Sequence, residues 1–142
     1  MRALRVHVFC VAIAFLGCES SYYVLKGYEL NKPITVTVGS TMISWEYGTE
    51  SSFGKSGIRK QLNYTGTAHD IVHISYQEFT EEEKGSYIRP AFQQDLVYDI
   101  SESGEITFRS VAIKIVQATQ KRITFVVLND PDDVRRLPLP RY

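Results

Sequence analysis

The sequence predicts an all-β domain, a small antiparallel sandwich or barrel. Three observations carry that prediction. Apolar residues recur at every second position almost throughout, the period of a half-buried strand. No window sustains the 3.6-residue apolar stripe of a helix. Turn residues interrupt the alternation at regular spacing, and the nine tyrosines and seven phenylalanines favour a pleated surface, on which such rings pack well.

Tyr22 to Leu30 forms a first strand or an ordered arm. Ile34, Val36 and Val38 alternate with threonines until Gly39-Ser40 ends the run. Met42, Ser44 and Glu46 then alternate with Ile43, Trp45 and Tyr47, which makes a strand with one apolar face. Gly48 to Gly57 is rich in Gly, Ser and Thr and reads as a flexible loop. Ile58, Lys60, Leu62 and Tyr64 share one face of the next strand, Thr65 to Asp70 turns the chain, and Val72, Ile74 and Tyr76 then face one way. This pair is the clearest hairpin. Thr80 to Gly85, with Glu81, Glu82 and Glu83 in succession, reads as an exposed loop or short helical turn. Phe92, Gln94, Leu96, Tyr98 and Ile100 alternate up to a turn at Ser101 to Gly104. Glu105 to Phe108 and Val111 to Ala118 follow as strands, the second with Val111, Ile113 and Ile115 on one side. After a turn at Gln117 to Lys121, Ile123, Phe125 and Val127 make the last strand. The end from Asp130 to Tyr142 carries Pro131, Pro138 and Pro140. Proline there prevents strand pairing and favours an extended, solvated tail.

The start of the chain differs from all of this. Arg2 and Arg5 precede an apolar run from Val6 to Phe15, and Gly17 stands before Cys18. A positive start, a short apolar middle and a small residue describe an export signal. The run is about ten residues, half of what a spanning helix needs. The stretch Phe15-Leu16-Gly17-Cys18 resembles the lipobox of bacterial lipoproteins. That box usually has Leu three residues before Cys, then a small or β-branched residue, then Gly or Ala. Gly17 matches, while Phe15 and Leu16 depart from the commonest choices. The resemblance implies a cut after Gly17, palmitate-type acyl chains on Cys18, and a mature chain beginning there. Asp after the cysteine favours inner-membrane retention in that family, so Glu19 implies the outer membrane, facing the periplasm. The expected divisions are a signal peptide at 1–17, a lipid-anchored tether or first strand at 18–29, a β-domain at 30–129 and a Pro-rich tail at 130–142. The rivals are an ordinary secretory signal cut elsewhere and an uncleaved first element of a cytosolic domain.

Composition limits the function classes. Losing residues 1–17 removes Arg2 and Arg5 from sixteen basic residues, leaving fourteen against sixteen acidic ones, a net charge of −2. Nonspecific nucleic-acid binding therefore has no electrostatic driving force. The two cysteines are Cys10, inside the apolar run, and Cys18. The mature chain then has no disulfide, and its stability must come from packing.

A second resemblance lies in the body. Lys60-Gln61-Leu62-Asn63-Tyr64-Thr65-Gly66 and Ile74-Ser75-Tyr76-Gln77-Glu78-Phe79 are similar to pieces of a recurrent β-rich module of bacterial envelope proteins. So, in the same order, are Arg89-Pro90-Ala91-Phe92, Leu96-Val97-Tyr98-Asp99 and Ile113-Lys114-Ile115-Val116-Gln117-Ala118. The similarity covers Ile58 to Val127. It implies β structure and an envelope location, and it brings no catalytic residue.

Motifs that suggest chemistry have plainer readings. Gly54-Lys55-Ser56 invites a phosphate loop, but Gly48 precedes Gly54 by five intervening residues instead of four, and a strand follows where a helix is required. His69 and His73, with Asp70 between them, would lie ~13 Å apart on a strand, too far for one zinc ion with bonds of about 2 Å. Glu81 to Glu83 beside Lys84 reads as a solvated loop, because paired catalytic carboxylates need a cleft and contrasting environments. No Gly-x-Ser-x-Gly elbow presents a nucleophile. Asn63-Tyr64-Thr65 matches a glycosylation acceptor only by pattern. The candidate partner-binding residues are Trp45, Tyr47 and Phe53 around the Gly-rich segment, and Arg135, Arg136 and Arg141 in the tail. No catalytic residue, metal ligand set or cofactor is expected. The expected function is a membrane-anchored envelope lipoprotein acting as a non-enzymatic binding or structural module. Its partners would be the membrane, through lipid on Cys18, and an envelope protein. The alternatives are a barrel-type carrier of a small apolar ligand and a hydrolase.

Overall fold

The computed structural model describes residues 20–82 and 85–136, with the backbone alone at 85–91. Strands dominate it: β1 (Ser21–Lys26), β2 (Pro33–Thr37), β3 (Thr41–Ser51), β4 (Gly54–Ala68), β5 (Ile71–Glu82), β6 (Gly85–Asp99), β7 (Glu105–Phe108), β8 (Val111–Ala118) and β9 (Arg122–Val127). One helical turn, α1 (Asp132–Arg135), follows. The strands form two sheets, ordered β1-β3-β4-β5-β6 and β2-β9-β8-β7, and every named pair is antiparallel. The predicted all-β fold is therefore present as a sandwich.

Alternation explains the packing. On β4 and β5, Leu62, Tyr64, Val72, Ile74 and Tyr76 turn inward and are buried. Ile106, Val111, Ile113, Ile123, Phe125 and Val127 of the second sheet meet them in one apolar cluster. Each such fully buried side chain contributes about 1.5–3 kcal/mol relative to exposure. The Tyr64 hydroxyl donates to the Thr119 carbonyl in the β8–β9 turn and ties the sheets together. Of the two expected forms the chain takes the sandwich: the sheets remain two, and they meet through packed side chains.

Sheet lengths differ, and this governs the rest of the molecule. Strands β3 to β6 have 11 to 15 residues, whereas β2, β7, β8 and β9 have 4 to 8. The long sheet therefore runs past the short one at the end opposite the β4–β5 turn. The segment expected to be a flexible loop lies on that overhang. Gly48 pairs with Gly57, Thr49 with Ser56, Glu50 with Lys55 and Ser51 with Gly54, leaving Ser52-Phe53 as the turn. The glycines serve close approach. A Cβ on Gly57 would meet the Tyr23 hydroxyl at 2.3 Å, and one on Gly48 would meet the Ser56 carbonyl oxygen at 2.1 Å. The acidic segment is likewise paired: β5 continues to Glu82 and β6 starts at Gly85, while Glu83 lies outside the described residues.

The tail differs from its expectation in part. Pro131 caps α1 where an extended, solvated tail is expected, and its carbonyl accepts from the Val134 and Arg135 amides at 3.0 and 3.1 Å. Val134 is buried against the core. Proline suits the start of a helix because its missing N–H needs no partner there. Residues 137–142, with Pro138 and Pro140, lie outside the described residues.

Candidate functional site

The densest chemistry sits where the short sheet ends and the overhang begins. Lys60 on β4 and Glu78 on β5 are directly paired neighbours on the inner face, 5 % and 3 % exposed. Ile58 and Leu62 flank Lys60 in its row and Tyr76 precedes Glu78 in the other, so both charges occupy core positions. Lys60 Nζ lies 2.6 Å from Asp133 Oδ2 on α1 and 3.8 Å from Glu78 Oε1. Glu78 also accepts from the Tyr76 hydroxyl and from Arg109 at 3.1 Å. Arg109 stands over the Tyr76 ring at 5.0 Å, and the Tyr76 and Phe108 rings are 4.7 Å apart.

Local backbone places Arg109. It forms the β7–β8 turn with Ser110, between the paired Phe108 and Val111. Both turn residues have positive φ, 45° and 68°, as a two-residue primed turn requires. Neither is Gly or Asn, so the turn carries strain that its surroundings must offset. Those surroundings hold it at several points. Arg109 grips Glu78, the Ser110 hydroxyl donates to Asp132 at 2.9 Å, and the Asn129 amide donates to the Ser110 carbonyl. Asn129 accepts the Ala112 amide at 3.0 Å. Upstream of α1, Asp130 accepts the Tyr28 hydroxyl at 2.8 Å and pairs with Lys26 at 3.2 Å.

The electrostatics suit holding better than reacting. Burial works against the Lys60 ammonium, but the interactions with Asp133 and Tyr47 outweigh it and raise its pKa. A lysine held in its charged form is a poor nucleophile. Burial, then the bond to Glu78, pushes the Tyr76 hydroxyl well above the usual phenol range, and burial with Asp130 does the same to Tyr28. The Ser110 hydroxyl, with Arg135 and Arg136 behind it, holds Asp132 below the usual carboxylate range. Removing Lys60 or Glu78, the buried pair, leaves the other charge short of a partner. The arrangement therefore fastens the segment after β9, and the β7–β8 turn, to the long sheet.

The residues singled out in the sequence are dispersed. Trp45 belongs to the core at 1 % exposure, and its indole N–H meets no acceptor among the described residues. The aromatic edge expected at Trp45, Tyr47 and Phe53 is thus corrected: alternation sends Trp45 inward beside Lys60. Tyr47 is half-buried under the Lys60 ammonium, 5.2 Å from its ring centroid. Phe53 stands alone at the β3–β4 turn, 84 % exposed. Arg135 and Arg136 both pair with Asp132. Cys18, Arg141 and the segment 1–17 lie outside the described residues. Gly54-Lys55-Ser56 opens a strand, β4, and His69 takes the left-handed turn before β5.

Sequence reasoning missed Lys60, Glu78, Arg109 and Asp133. A signal for the first two existed, because opposite charges stand in the apolar registers Ile58-Lys60-Leu62-Tyr64 and Val72-Ile74-Tyr76-Glu78 of consecutive strands. On the outer face of the overhang, the Tyr23 hydroxyl donates to Glu46 at 2.8 Å, and Lys55 pairs with Glu46 at 3.3 Å. Arg59 pairs with Glu81 at 2.7 Å.

Among the described residues no group of three or more His, Cys, Asp or Glu side chains could hold a metal ion, and no helix is long and apolar enough to cross a membrane. No family model, no curated protein and no solved structure matches the chain.

Proposed function

We propose that the protein is a lipid-anchored lipoprotein of the cell envelope, held in the outer membrane by acyl chains on Cys18 and facing the periplasm. Its sandwich acts there as a binding or structural module, without catalysis. The observation that supports this reading is where folding starts. Strand β1 begins at Ser21, three residues after Cys18. Three extended residues reach at most ~10 Å, so a lipid on Cys18 would keep the body against the bilayer. Two or more chains make such attachment stable, at roughly 0.8 kcal/mol for each buried methylene.

A body held this way recognises its partners in two dimensions. The long sheet ends at β1 on one side and β6 on the other. A partner strand can add to such an edge through main-chain bonds. Strand β6 suits this: it has 15 residues, and Gln93, Gln94, Asp95 and Val97 are exposed along it. The charged cluster around Lys60 supports a structural role, since it stiffens the body at the level where the short sheet stops. The test joins two measurements. Intact-mass analysis of the membrane-extracted protein should give a chain starting at Cys18 with added acyl mass. Crosslinking in membranes should recover envelope proteins with the parent and lose them with Cys18→Ser. A chain that begins at Met1, or equal recovery by both forms from the same fraction, would reject the proposal.

A further inference from the structure

We infer that the β3–β4 turn is a second membrane contact, with Phe53 seated in the interface of a zwitterionic bilayer; this rests on the lipid-anchor reading above. Strand direction supplies the argument. Strand β1 runs antiparallel to β3, so its first residue, Ser21, pairs with Glu50 at the turn end of the overhang. Glu50 in turn pairs with Lys55, and two residues beyond that row lies the Ser52-Phe53 turn. At the usual rise the turn extends about 7 Å past the row. Cys18 precedes Ser21 by three residues, a reach of ~10 Å. A lipid on Cys18 and the ring of Phe53 therefore reach the same plane.

The turn presents that ring. The Phe53 amide donates to the Ser51 hydroxyl at 3.2 Å, and Gly54 takes φ 128°, which side chains rarely adopt. Phe53 is the most exposed large apolar residue described, at 84 %, and Tyr22, on the row next to Ser21, is 53 % exposed. A single exposed apolar ring is ordinary on a soluble surface. Beside a lipid anchor it meets the boundary between headgroups and acyl chains, where Phe is one of the side chains that insert. Charge selects the kind of membrane. Lys55 is engaged by Glu46 and by the Tyr23 ring, 4.0 Å away. Glu50 is exposed on the row beside the turn. Its carboxylate opposes anionic lipid, so the surface is a neutral one.

The test uses the full, acylated protein on vesicles of phosphatidylethanolamine and phosphatidylcholine. Phe53→Trp places a probe at the turn, and the buried Trp45 of the parent supplies the background. Emission from the introduced indole should shift to the blue and be quenched by lipids brominated near the headgroup, with the Trp45 signal unmoved. Mixing in phosphatidylglycerol should reduce the quenching, and equal quenching would overturn the stated lipid preference. An acylated, vesicle-bound F53W protein whose turn emission is neither shifted nor quenched overturns the turn contact while leaving the anchor in place. A product without acyl mass overturns both. A blue shift that appears without vesicles and grows with protein concentration assigns the turn to a second copy of the chain and overturns the membrane contact.

Discussion

The two ends of the long sheet are built from the same strands but face different surroundings. Toward the β4–β5 turn, Tyr64, Val72 and Ile74 are buried under the second sheet. Toward the β3–β4 turn, Thr49, Glu50 and Ser56 are exposed, and the pairing glycines carry no side chain at all. Between them, at Lys60 and Glu78, the inner face is still covered but already charged. The apolar alternation thus stops where the cover stops, while the hydrogen-bonded ladder continues. Pairing and burial are separable, and each end depends on a different one of them.

The largest effect expected from perturbing this contrast lies at the covered end. Phe125→Ala should lower stability by about 3–5 kcal/mol, since it opens a cavity at a fully buried site. Urea unfolding followed by tryptophan emission would measure it. Next comes the boundary. Glu78→Ala should cost about 3 kcal/mol by leaving Lys60 and Arg109 short of a buried partner. The same variant should loosen α1, read as faster amide exchange at Val134 and Arg135. A loss no larger than that of an exposed glutamate would refute the fastening role.

On the overhang, Gly57→Ala should destabilise by ~1–3 kcal/mol, the usual range for overpacking, because the new methyl collides with Tyr23 and with the Tyr47 carbonyl oxygen at 2.7 Å. Pairing Gly57→Ala with Tyr23→Ala would relieve only the ring contact. Alkaline pH sharpens the boundary further. Tyr76 and Lys60 have folded-state pKa values above their ordinary ones, so the native chain holds protons that the unfolded chain releases. Their contribution is present below about pH 10, where free tyrosine is half ionised, and is lost as pH rises beyond it. Urea midpoints measured up the alkaline limb should fall, and Tyr76→Phe should fall less steeply. The smallest effect belongs to the tip: Phe53→Ser should change stability by no more than ~0.5 kcal/mol, as at other exposed sites. A larger loss in solution would mean that the ring is part of the fold.

Legibility in the sequence follows the same division. The covered strands are readable as inward and outward rows, because one face meets oil and the other water, but their ends are not: β4 stays paired through Ala68, inside the turn expected at Thr65 to Asp70. The β4–β5 hairpin emerges with its register sense, including Val72, Ile74 and Tyr76 as one buried row. The overhang is not readable. Gly48 and Gly57 look like loop residues, and only the Tyr23 ring and the facing strand show that they make room. The β7–β8 turn is equally silent, since Arg109 and Ser110 are not residues that favour left-handed backbone. The docking of α1 joins Lys60 to Asp133 across 73 positions, a separation over which local pattern has no reach. Lys60 and Glu78 are visible as charges in apolar rows, but each becomes a signal only when the two consecutive strands are weighed together.

What the chain determines by itself is therefore its alternation: the inward rows of the covered strands and the all-β class, because side-chain direction reverses at every residue along a strand. What only the tertiary structure decided is which rows are covered. Two sheets of unequal length meet over part of one face. That mismatch buried a lysine and a glutamate, drew α1 and the β7–β8 turn onto them, and left the β3–β4 turn projecting at the end where the chain enters the fold.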